Sequence, residues 1–303
     1  MRPRYFKMPD GRLAKSRATR LEQYLRDNQP PPAAAGGFTT SRPSSRPYRQ
    51  SEDGSADVDF DRLSGYEIVL FGTGSVGSYL AGFLAIVSFI LHVVDFKRVE
   101  PKHLKNGRTI YTPEDLGLFK VEALKRRIEA DHPGTQVRAY PCNVAQFTES
   151  DLTALFRRCL VVLLAIDDPE QLVRIADLAY PLVELLQAAM HARGHSSHLI
   201  CTIPGRTACL RCALEIRNPN DIRRLDSEPS ASGHIVTLAN TAANFALDLA
   251  YSKVTGQPIT RWDITKNLIY IANTTQPISP DGPGLHYEGS QRRPGCPICN
   301  PLP

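Results

Sequence analysis

Residues 66–77 read YEIVLFGTGSVG, a short apolar run that opens into three closely spaced glycines. The run Tyr66–Phe71 has the length of a buried parallel strand, and Ser78–Ile86 has the length and small-residue content of a packed helix. Glycines in such a turn allow a tight bend, a close approach of the backbone to phosphate, and close packing of helix on strand. The stretch therefore predicts half of a Rossmann-like nucleotide-binding unit. Its predicted cofactor-binding residues are Gly72, Gly74, Ser75, Val76 and Gly77.

Acidic residues follow two later apolar runs. Asp95 ends the run after the glycine loop, where a carboxylate at a strand end can accept hydrogen bonds from ribose hydroxyls. Cys159–Ile166 has the pattern of a fully buried strand and delivers Asp167 at its carboxyl end, where open α/β sheets place ligand groups. The neighbouring Asp168 is suited to cap the helix predicted over Pro169–Ala179.

The remainder of the chain alternates between strand-like and helix-like segments. Further strands are predicted over Gln136–Tyr140, His198–Ile203 and Leu268–Ala272, and further helices over Asp151–Arg158 and Gly233–Thr255. The last of these is rich in small residues, which is typical of helices that pack closely and often meet at dimer interfaces. We therefore expect an α/β protein with a Rossmann-like, doubly wound, mostly parallel sheet, assembled as a homodimer.

Two cysteine pairs lie far apart in the sequence. They are Cys209-Leu210-Arg211-Cys212 and Cys296-Pro297-Ile298-Cys299. Four thiolates suit tetrahedral zinc, and closing such a site would pin the end of the sequence back onto the central body. The alternatives are two unrelated turns or two disulfides; the spacing favours metal in a chain of cytosolic character. The predicted zinc ligands are Cys209, Cys212, Cys296 and Cys299.

Composition limits the classes of function. The chain has 303 residues, a net charge of +5 and seven cysteines. That length suits one large α/β domain with appendages. The charge is moderate and concentrated near the N-terminus, so it gives no reason to expect nucleic acid binding. No apolar run reaches about 18 residues and no hydrophobic signal segment is visible, so we expect no membrane span. Three isolated thiols beside the pairs fit a reducing compartment, and the expected location is the cytoplasm.

Residues 1–63 differ from residues 64–303. Gly11–Asn28 could form a basic helix, but Gln29–Arg49 is rich in Pro, Gly and Ser-Arg-Pro and has too little apolar content to fold alone. The sequence therefore predicts a flexible basic N-terminal arm before a single domain that carries the cysteine knuckles at 209–212 and 296–299.

The segment after Asp95 is polar and basic, unlike an ordinary dinucleotide-binding chain. Its elements are Val99-Glu100, His103-Leu104-Lys105-Asn106-Gly107-Arg108, Asp115-Leu116-Gly117 and Lys120. With the glycine loop, this order resembles the ThiF, MoeB and ubiquitin-activating-enzyme family over residues 66–299, and the family also has paired zinc knuckles. Two departures are visible. His103 stands where the family usually has Asn, and an inserted residue displaces Arg108.

The resemblance implies an adenylating enzyme with ATP, Mg²⁺ and Zn²⁺ as cofactors. In that family, the C-terminal carboxylate of a small protein or peptide attacks the α-phosphate of ATP and gives an acyl-adenylate and pyrophosphate. The loop amides would hold phosphate, Asp95 ribose and Asp167 magnesium. Arg108 and Lys120 would offset charge at the α-phosphate, so the implied catalytic residues are Arg108, Lys120 and Asp167. Arg46 or Arg49, in the segment Arg46-Pro47-Tyr48-Arg49-Gln50, would reach the partner subunit's ATP; a solvated basic linker is the alternative.

We therefore expect adenylation of the C-terminal tail of a ubiquitin-like or sulfur-carrier protein, in a bacterial ubiquitin-like conjugation pathway. Alternatives are a sulfur-carrier adenylyltransferase of thiamine or molybdopterin type and a peptide-adenylating biosynthetic enzyme. A silent heterodimer half and an NAD-dependent oxidoreductase are less favoured. Since Ala213–Gly233 contains no cysteine, we expect an external acceptor, such as a conjugating enzyme, rather than a thioester on Cys142, Cys159 or Cys201.

Overall fold

The computed structural model describes residues 6–7, 13–14, 60–190, 196–217, 221, 235–259, 262–272 and 284–300. The chain divides into two compact units, residues 1–58 and 59–303. In the first unit, Phe6–Lys7 pairs with Leu13–Ala14 in antiparallel fashion. Leu13–Ala14 is thus extended where the sequence suggests a helix. The rest of that predicted helix and the Arg46–Gln50 segment lie outside the described residues.

The second unit is built on an eight-stranded sheet. Its strands are β1 (Glu67–Phe71), β2 (Ile90–Val94), β3 (Gln136–Tyr140), β4 (Cys159–Leu164), β5 (Glu184–Met190), β6 (Ser196–Thr202), β7 (Leu268–Ala272) and β8 (Gly284–Glu288). They lie in the order β8-β7-β6-β5-β4-β1-β2-β3. Strands β5, β4, β1, β2 and β3 are parallel, and β6, β7 and β8 extend the sheet in antiparallel fashion. The predicted α/β fold with a mostly parallel sheet is confirmed.

The helices described in the second unit lie between its strands along the chain, and the first four connect the parallel strands. They are α1 (Ser75–Leu84), α2 (Lys120–Asp131), α3 (Glu149–Phe156), α4 (Pro169–Ala179), α5 (Leu210–Ala213) and α6 (Ile235–Thr255). Short 3₁₀ helices span Phe60–Leu63, Ala85–Val87, Pro101–Gly107, Pro113–Asp115 and Val144–Gln146. Leu63 is fully buried in the core of the second unit. No helix in the described ranges has both the length and the hydrophobicity to cross a bilayer.

The central strands are apolar because helices cover both faces of the sheet. Every residue of β4 is buried, and so are the last four residues of β1. Helix α6 packs against α1 and strands β4, β5 and β6. Its small residues Ala239, Ala242, Ala243 and Ala246 are buried within this chain and allow that close approach. These small residues therefore pack within the core of the chain itself.

One charged group is built into the sheet at the start of β1. Arg158 donates two hydrogen bonds to the Glu67 carboxylate, from Nη2 at 2.7 Å and from Nε at 3.0 Å. Arg138 Nη1 lies 3.4 Å from the same carboxylate. His92 Nε2 lies 3.1 Å from the same carboxylate, and His92 Nδ1 lies 2.9 Å from the hydroxyl of Tyr140. Since a carboxylate only accepts, Nε2 carries the imidazole proton and Nδ1 accepts from the tyrosine.

Burial sets the protonation of this cluster. It lowers the pKa of His92, so the imidazole is neutral near pH 7. For Glu67, burial works to raise the pKa, but its interactions with His92 and Arg158 outweigh burial and lower the pKa to about 2. Because His92 is neutral near pH 7, it acts there through its hydrogen bond, and Arg158 supplies the positive charge.

Candidate functional site

The glycine loop joins β1 to α1 at the carboxyl edge of the parallel sheet. Gly72 has φ +87°, and a Cβ there would overlap the carbonyl oxygen of Ala165 after β4. A Cβ on Gly77 would overlap the carbonyl oxygen of Gly72 itself, so these two glycines permit close packing. Among the described residues, no atom outside the loop's immediate neighbours lies within 4 Å of a Cβ built on Gly74. Gly74 is the N-cap of α1 and no side chain caps this helix. The amides of its first turn have no hydrogen-bond partner among the described residues and are therefore suited to bind an anion.

Asp95 ties the end of β2 to this loop. Its carboxylate accepts hydrogen bonds from the Thr73 amide at 2.9 Å, the Thr73 hydroxyl at 3.1 Å and the Lys97 amide at 2.8 Å. Asp95 is 9 % exposed and Thr73 is fully buried. A carboxylate oxygen has more than one lone pair, so the fixed Asp95 can still accept a hydroxyl of a ligand.

The polar segment after Asp95 folds onto the loop and onto α1. The Tyr111 hydroxyl donates to the Thr73 carbonyl at 2.7 Å, and the Tyr79 hydroxyl donates to the Gly107 carbonyl at 2.7 Å. Tyr111 is buried, and burial raises the pKa of its hydroxyl, which therefore remains a donor. Hydrogen bonds thus join the polar segment to the glycine loop and to α1.

Lys120 is the first residue of α2 and is only 3 % exposed. Its backbone amide donates to the Lys97 carbonyl at 3.0 Å, which fixes the helix start beside the end of β2. Among the residues that the structure describes, no group forms a hydrogen bond or salt bridge with Lys120 Nζ. Burial lowers the pKa of this ammonium, while the charges of Asp95 and Asp167 oppose that shift. A buried lysine without a bonded partner is suited to receive an anion.

Asp167 follows β4, and its carboxylate contacts the side chain of Lys97, which follows β2. Lys97 Nζ donates to both carboxylate oxygens, at 2.8 and 3.1 Å. Desolvation by the surrounding residues works to raise the pKa of Asp167, but the hydrogen bonds and charge of Lys97 outweigh it and the pKa is lowered. Asp168 accepts from the amides of Glu170 and Gln171, both at 3.1 Å, which confirms its predicted role as the cap of α4.

The donor set is compatible with magnesium. An exposed carboxylate next to a phosphate-binding loop is the kind of ligand that Mg²⁺ takes, together with substrate phosphates and water. Asp167 has a side chain that is 83 % exposed, so it can reach such an ion once Lys97 is displaced.

His103 and Arg108 of the polar segment differ in their contacts with the residues at the carboxyl edge of the sheet. The His103 ring accepts at Nδ1 from the Glu100 amide at 2.8 Å, so its proton lies on Nε2. Burial and the charge of Lys120 lower the pKa of His103. Arg108 is partly exposed, and within the described ranges no hydrogen bond or salt bridge connects its guanidinium with Asp95, Lys120 or Asp167.

The four predicted zinc ligands come together. The Sγ atoms of Cys209, Cys212, Cys296 and Cys299 all lie within 4.8 Å of one another. Cys209 Sγ lies 3.6 Å from Cys296 Sγ, and Cys212 Sγ lies 3.6 Å from Cys299 Sγ. Tetrahedral zinc with bonds of about 2.3 Å separates its sulfurs by about 3.8 Å, whereas a disulfide needs about 2.05 Å. All four cysteines are free, so the geometry fits zinc and excludes the disulfide alternative.

The thiols differ in acidity. Burial raises the pKa of Cys209, and it raises the pKa of Cys212 to about 11. For Cys296 burial is outweighed by the amides of Cys299 and Ile298, which lower the pKa to about 7. A bound zinc ion would hold all four as thiolates.

Other contacts hold the C-terminal segment on the body of the unit. The Tyr180 hydroxyl donates to the Thr207 carbonyl at 2.6 Å, and Arg292 Nε donates to the same carbonyl at 3.2 Å. Arg211, inside the first knuckle, pairs with Asp177 of α4 at 2.7 Å. The knuckles are therefore anchored to the helix that follows Asp167.

The comparisons with known proteins agree with this arrangement. The ThiF family model matches residues 49–280. The chain belongs to the ThiF family. It is 26 % identical over 206 residues to ubiquitin-like modifier-activating enzyme 5 of Drosophila ananassae, covering 63 % of this chain and 51 % of that protein. With the same enzyme of Oryza sativa it shares 24 % identity over 224 residues, covering 69 % and 52 %. The chain thus spans about half the length of these curated relatives.

Solved structures share the fold of this ThiF-family chain. Escherichia coli MccB with ATP superimposes with a TM-score of 0.59 at 18 % identity, covering 80 % of this chain and 68 % of that chain. PaaA superimposes with a TM-score of 0.53 at 16 % identity, covering 76 % and 66 %. The family resemblance expected from the sequence is confirmed.

Three residues of the site were missed by sequence reasoning. The Thr73 hydroxyl donates to Asp95, and the Tyr111 hydroxyl donates to the Thr73 carbonyl. Lys97 pairs with Asp167. The Thr between two loop glycines was a visible signal for the first. Tyr111 and Lys97 had no signal, since their partners lie 38 and 70 positions away.

The three isolated thiols are poor acyl acceptors. Cys159 is 4 % exposed and Cys201 is 1 % exposed. Burial raises the pKa of both, and it raises the pKa of the partly exposed Cys142 to about 11. Because the thiolate is the nucleophile, these shifts reduce reactivity at neutral pH.

Proposed function

We propose that this chain uses Mg-ATP to adenylate the C-terminal carboxylate of a small protein. The observation that carries the proposal is the meeting of an uncapped helix N-terminus, the fixed carboxylate of Asp95, the buried ammonium of Lys120 and Asp167 at one edge of the sheet. A nicotinamide site would have no use for Lys120, whereas transfer at a polyphosphate requires positive charge of this kind.

The reaction needs little acid or base chemistry from the protein. One carboxylate oxygen of the substrate forms a bond to the α-phosphorus, and the bond from that phosphorus to pyrophosphate breaks. The carboxylate is already ionised at neutral pH. The barrier is then set by positioning and by neutralising charge.

The residues supply these two effects. Amides of the loop Gly74–Gly77 hold phosphate oxygens, and Asp95 accepts from ribose hydroxyls. Lys120 offsets charge at the α-phosphate, and Arg108 contributes further positive charge when its partly exposed side chain turns toward the site. Asp167 holds Mg²⁺, which when bound neutralises phosphate charge.

The proposed substrate is the C-terminal tail of a ubiquitin-like or sulfur-carrier protein. The relatives that match the chain in sequence are named as activating enzymes of a ubiquitin-like modifier, which supports this choice. The acyl group would pass to an external acceptor, such as a conjugating-enzyme cysteine, because the three isolated thiols are buried or weakly acidic. We place it in a bacterial ubiquitin-like conjugation pathway in the cytoplasm, acting as a homodimer, with Arg46 or Arg49 contributed to the partner subunit's ATP.

A peptide is the second candidate substrate. MccB, which shares the fold, has been solved with N-formylated MccA at 17 % identity to this chain. Fold likeness at that identity leaves the substrate open, and the two candidates differ in what precedes the reactive carboxylate: a folded domain or a short free chain.

Pyrophosphate exchange into ATP tests the proposal. The purified chain would be mixed with Mg-ATP, labelled pyrophosphate, and either ubiquitin-like proteins with exposed tails or synthetic peptides. Lys120→Met should lower the exchange rate by about 10²- to 10³-fold, because a charge aimed at the reacting phosphate is lost. Lys125→Met is the matched control, since Lys125 lies on the same helix with a side chain that is 44 % exposed. Exchange that survives Lys120→Met would refute the assigned role.

A further inference from the structure

The salt bridge between Lys97 and Asp167 crosses the mouth of the glycine loop. Lys97 follows β2, Asp167 follows β4, and β1, which leads into the loop, lies between these two strands. The bridge therefore passes over the carboxyl end of β1, with Nζ 2.8 Å and 3.1 Å from the two carboxylate oxygens. Any phosphate that approaches the first turn of α1 arrives beside this bridge.

The bridge is not needed to hold the backbone on either side. The Lys97 amide is fixed by Asp95, and the Lys97 carbonyl accepts from the Lys120 amide. On the other side, Asp168 caps α4 directly after Asp167. The side chains of Lys97 and Asp167 are 40 % and 83 % exposed, and pairs of this kind contribute little to stability. Both side chains can therefore change partners while the strand ends stay in place.

The present pairing conflicts with the function proposed above. Lys97 occupies both oxygens of the only carboxylate that our proposal assigns to magnesium. Asp167 in turn neutralises Lys97, whose charge adds to the effect of burial in lowering the pKa of Lys120. A polyphosphate and a divalent cation offer each of these side chains a more highly charged partner.

We propose that Lys97 and Asp167 form a strap that opens when ATP and a divalent cation bind together. Lys97 moves from Asp167 to a phosphate oxygen, and Asp167 turns to the cation. Lys97 is thus a nucleotide-binding residue in the complex and a competitor of the metal in the free protein. The inference rests on the proposed function for the nucleotide, but its metal half concerns the free protein alone.

This exchange predicts two effects of opposite sign from one substitution. In Lys97→Met, Asp167 is released, so Mn²⁺, read directly by its electron paramagnetic resonance signal, should bind the nucleotide-free protein about threefold more tightly. At saturating Mg²⁺, the same variant should bind ATP about tenfold more weakly, measured by calorimetry, because a charge-assisted hydrogen bond to phosphate is lost. Lys97→Arg keeps the cation and should restore ATP affinity to within about twofold of the unaltered protein.

The controls separate local from general electrostatics. Lys102→Met removes the same charge nearby, where the side chain pairs with the exposed Glu100, and should change neither constant. In Lys97→Met combined with Asp167→Asn, the gain in Mn²⁺ affinity should vanish. Thermal unfolding verifies that each variant is folded, and Lys97→Gln is used if the methionine variant is not.

The outcomes are distinct. Unchanged ATP affinity in Lys97→Met would show that Lys97 never reaches phosphate, and unchanged or weaker Mn²⁺ binding would show that it does not compete for Asp167. Either result overturns the strap. If the unaltered protein binds no ATP at saturating Mg²⁺, the proposed function fails, and the nucleotide half of the strap fails with it. The Mn²⁺ comparison still decides whether Lys97 competes for Asp167.

Discussion

Replacing Glu67 by Gln removes the only negative charge in the described contacts of the cluster at the start of β1. The pKa of Glu67 falls from 4.5 to about 2, a difference of about 2.5 units, which corresponds to about 3 kcal/mol of stability at neutral pH. Glu67 and Arg138 have side chains that are 14 % and 12 % exposed, but Arg158 is 42 % exposed, so solvent screens part of this. We therefore expect Glu67→Gln to lower the free energy of unfolding by about 2 kcal/mol at pH 7.

The pH dependence gives the sharper test. A carboxyl with a lowered folded-state pKa stabilises the protein above its unfolded pKa, and this stability is lost as pH falls from about 4.5 toward about 2. The difference between the unaltered protein and Glu67→Gln, from urea unfolding at each pH, should therefore be constant from pH 7 to 5 and shrink below about 4.5. Asp131→Asn is the control, because Asp131 and Arg127 are exposed and 3.8 Å apart. The reasoning would be refuted if the Glu67→Gln variant were as stable as the unaltered protein at pH 7, or if the difference in free energy of unfolding did not depend on pH.

Three further outcomes are expected. Metal analysis should find one zinc per unaltered chain and none in Cys296→Ser, which should also melt at a lower temperature, while Cys142→Ser matches the unaltered chain; stoichiometric zinc in Cys296→Ser would remove Cys296 from the ligand set. Incubation with ATP and the cognate partner should give no thiol-sensitive adduct on non-reducing gels, and an adduct that disappears in Cys201→Ala would place a thioester there. Gly72→Ala should be destabilised in thermal unfolding by strain at φ +87° and the contact with the β4 end, whereas Gly74→Ala, with open space, should fold normally but bind ATP more weakly in calorimetry; equal melting temperatures would contradict this.

The sequence predicted those elements whose signal is local. Strand β4 was visible because all of its residues are apolar, and the Asp168 cap because it directly precedes Pro169 at the start of α4. The cysteine pairs predicted their own convergence, since two knuckles with this spacing have few other uses. The strand Gln136–Tyr140 and the helix Pro169–Ala179 have the predicted bounds.

Other elements had no local signal. Strand β5 reads ELLQAAM, a run of good helix formers, and it is extended because β4 and β6 hydrogen-bond to it on both sides. Helix α1 begins at Ser75 rather than the predicted Ser78, because the glycine loop itself supplies the first turn. The pairing of Lys97 with Asp167 depends on the order of strands in space, which periodicity along the chain does not encode.

The cysteine cluster also governs how the sheet ends. Strand β7 reads LIYIA, a β-prone apolar run without charge, and β8 covers its outer side through five paired residues. The covering strand GLHYE carries a histidine and a glutamate, side chains that discourage further strand addition. It ends only a few residues before Cys296, so a metal bound by the four cysteines would also limit how far β8 can move. Removal of such a metal would then expose the edge of β7 as a template for edge-to-edge association.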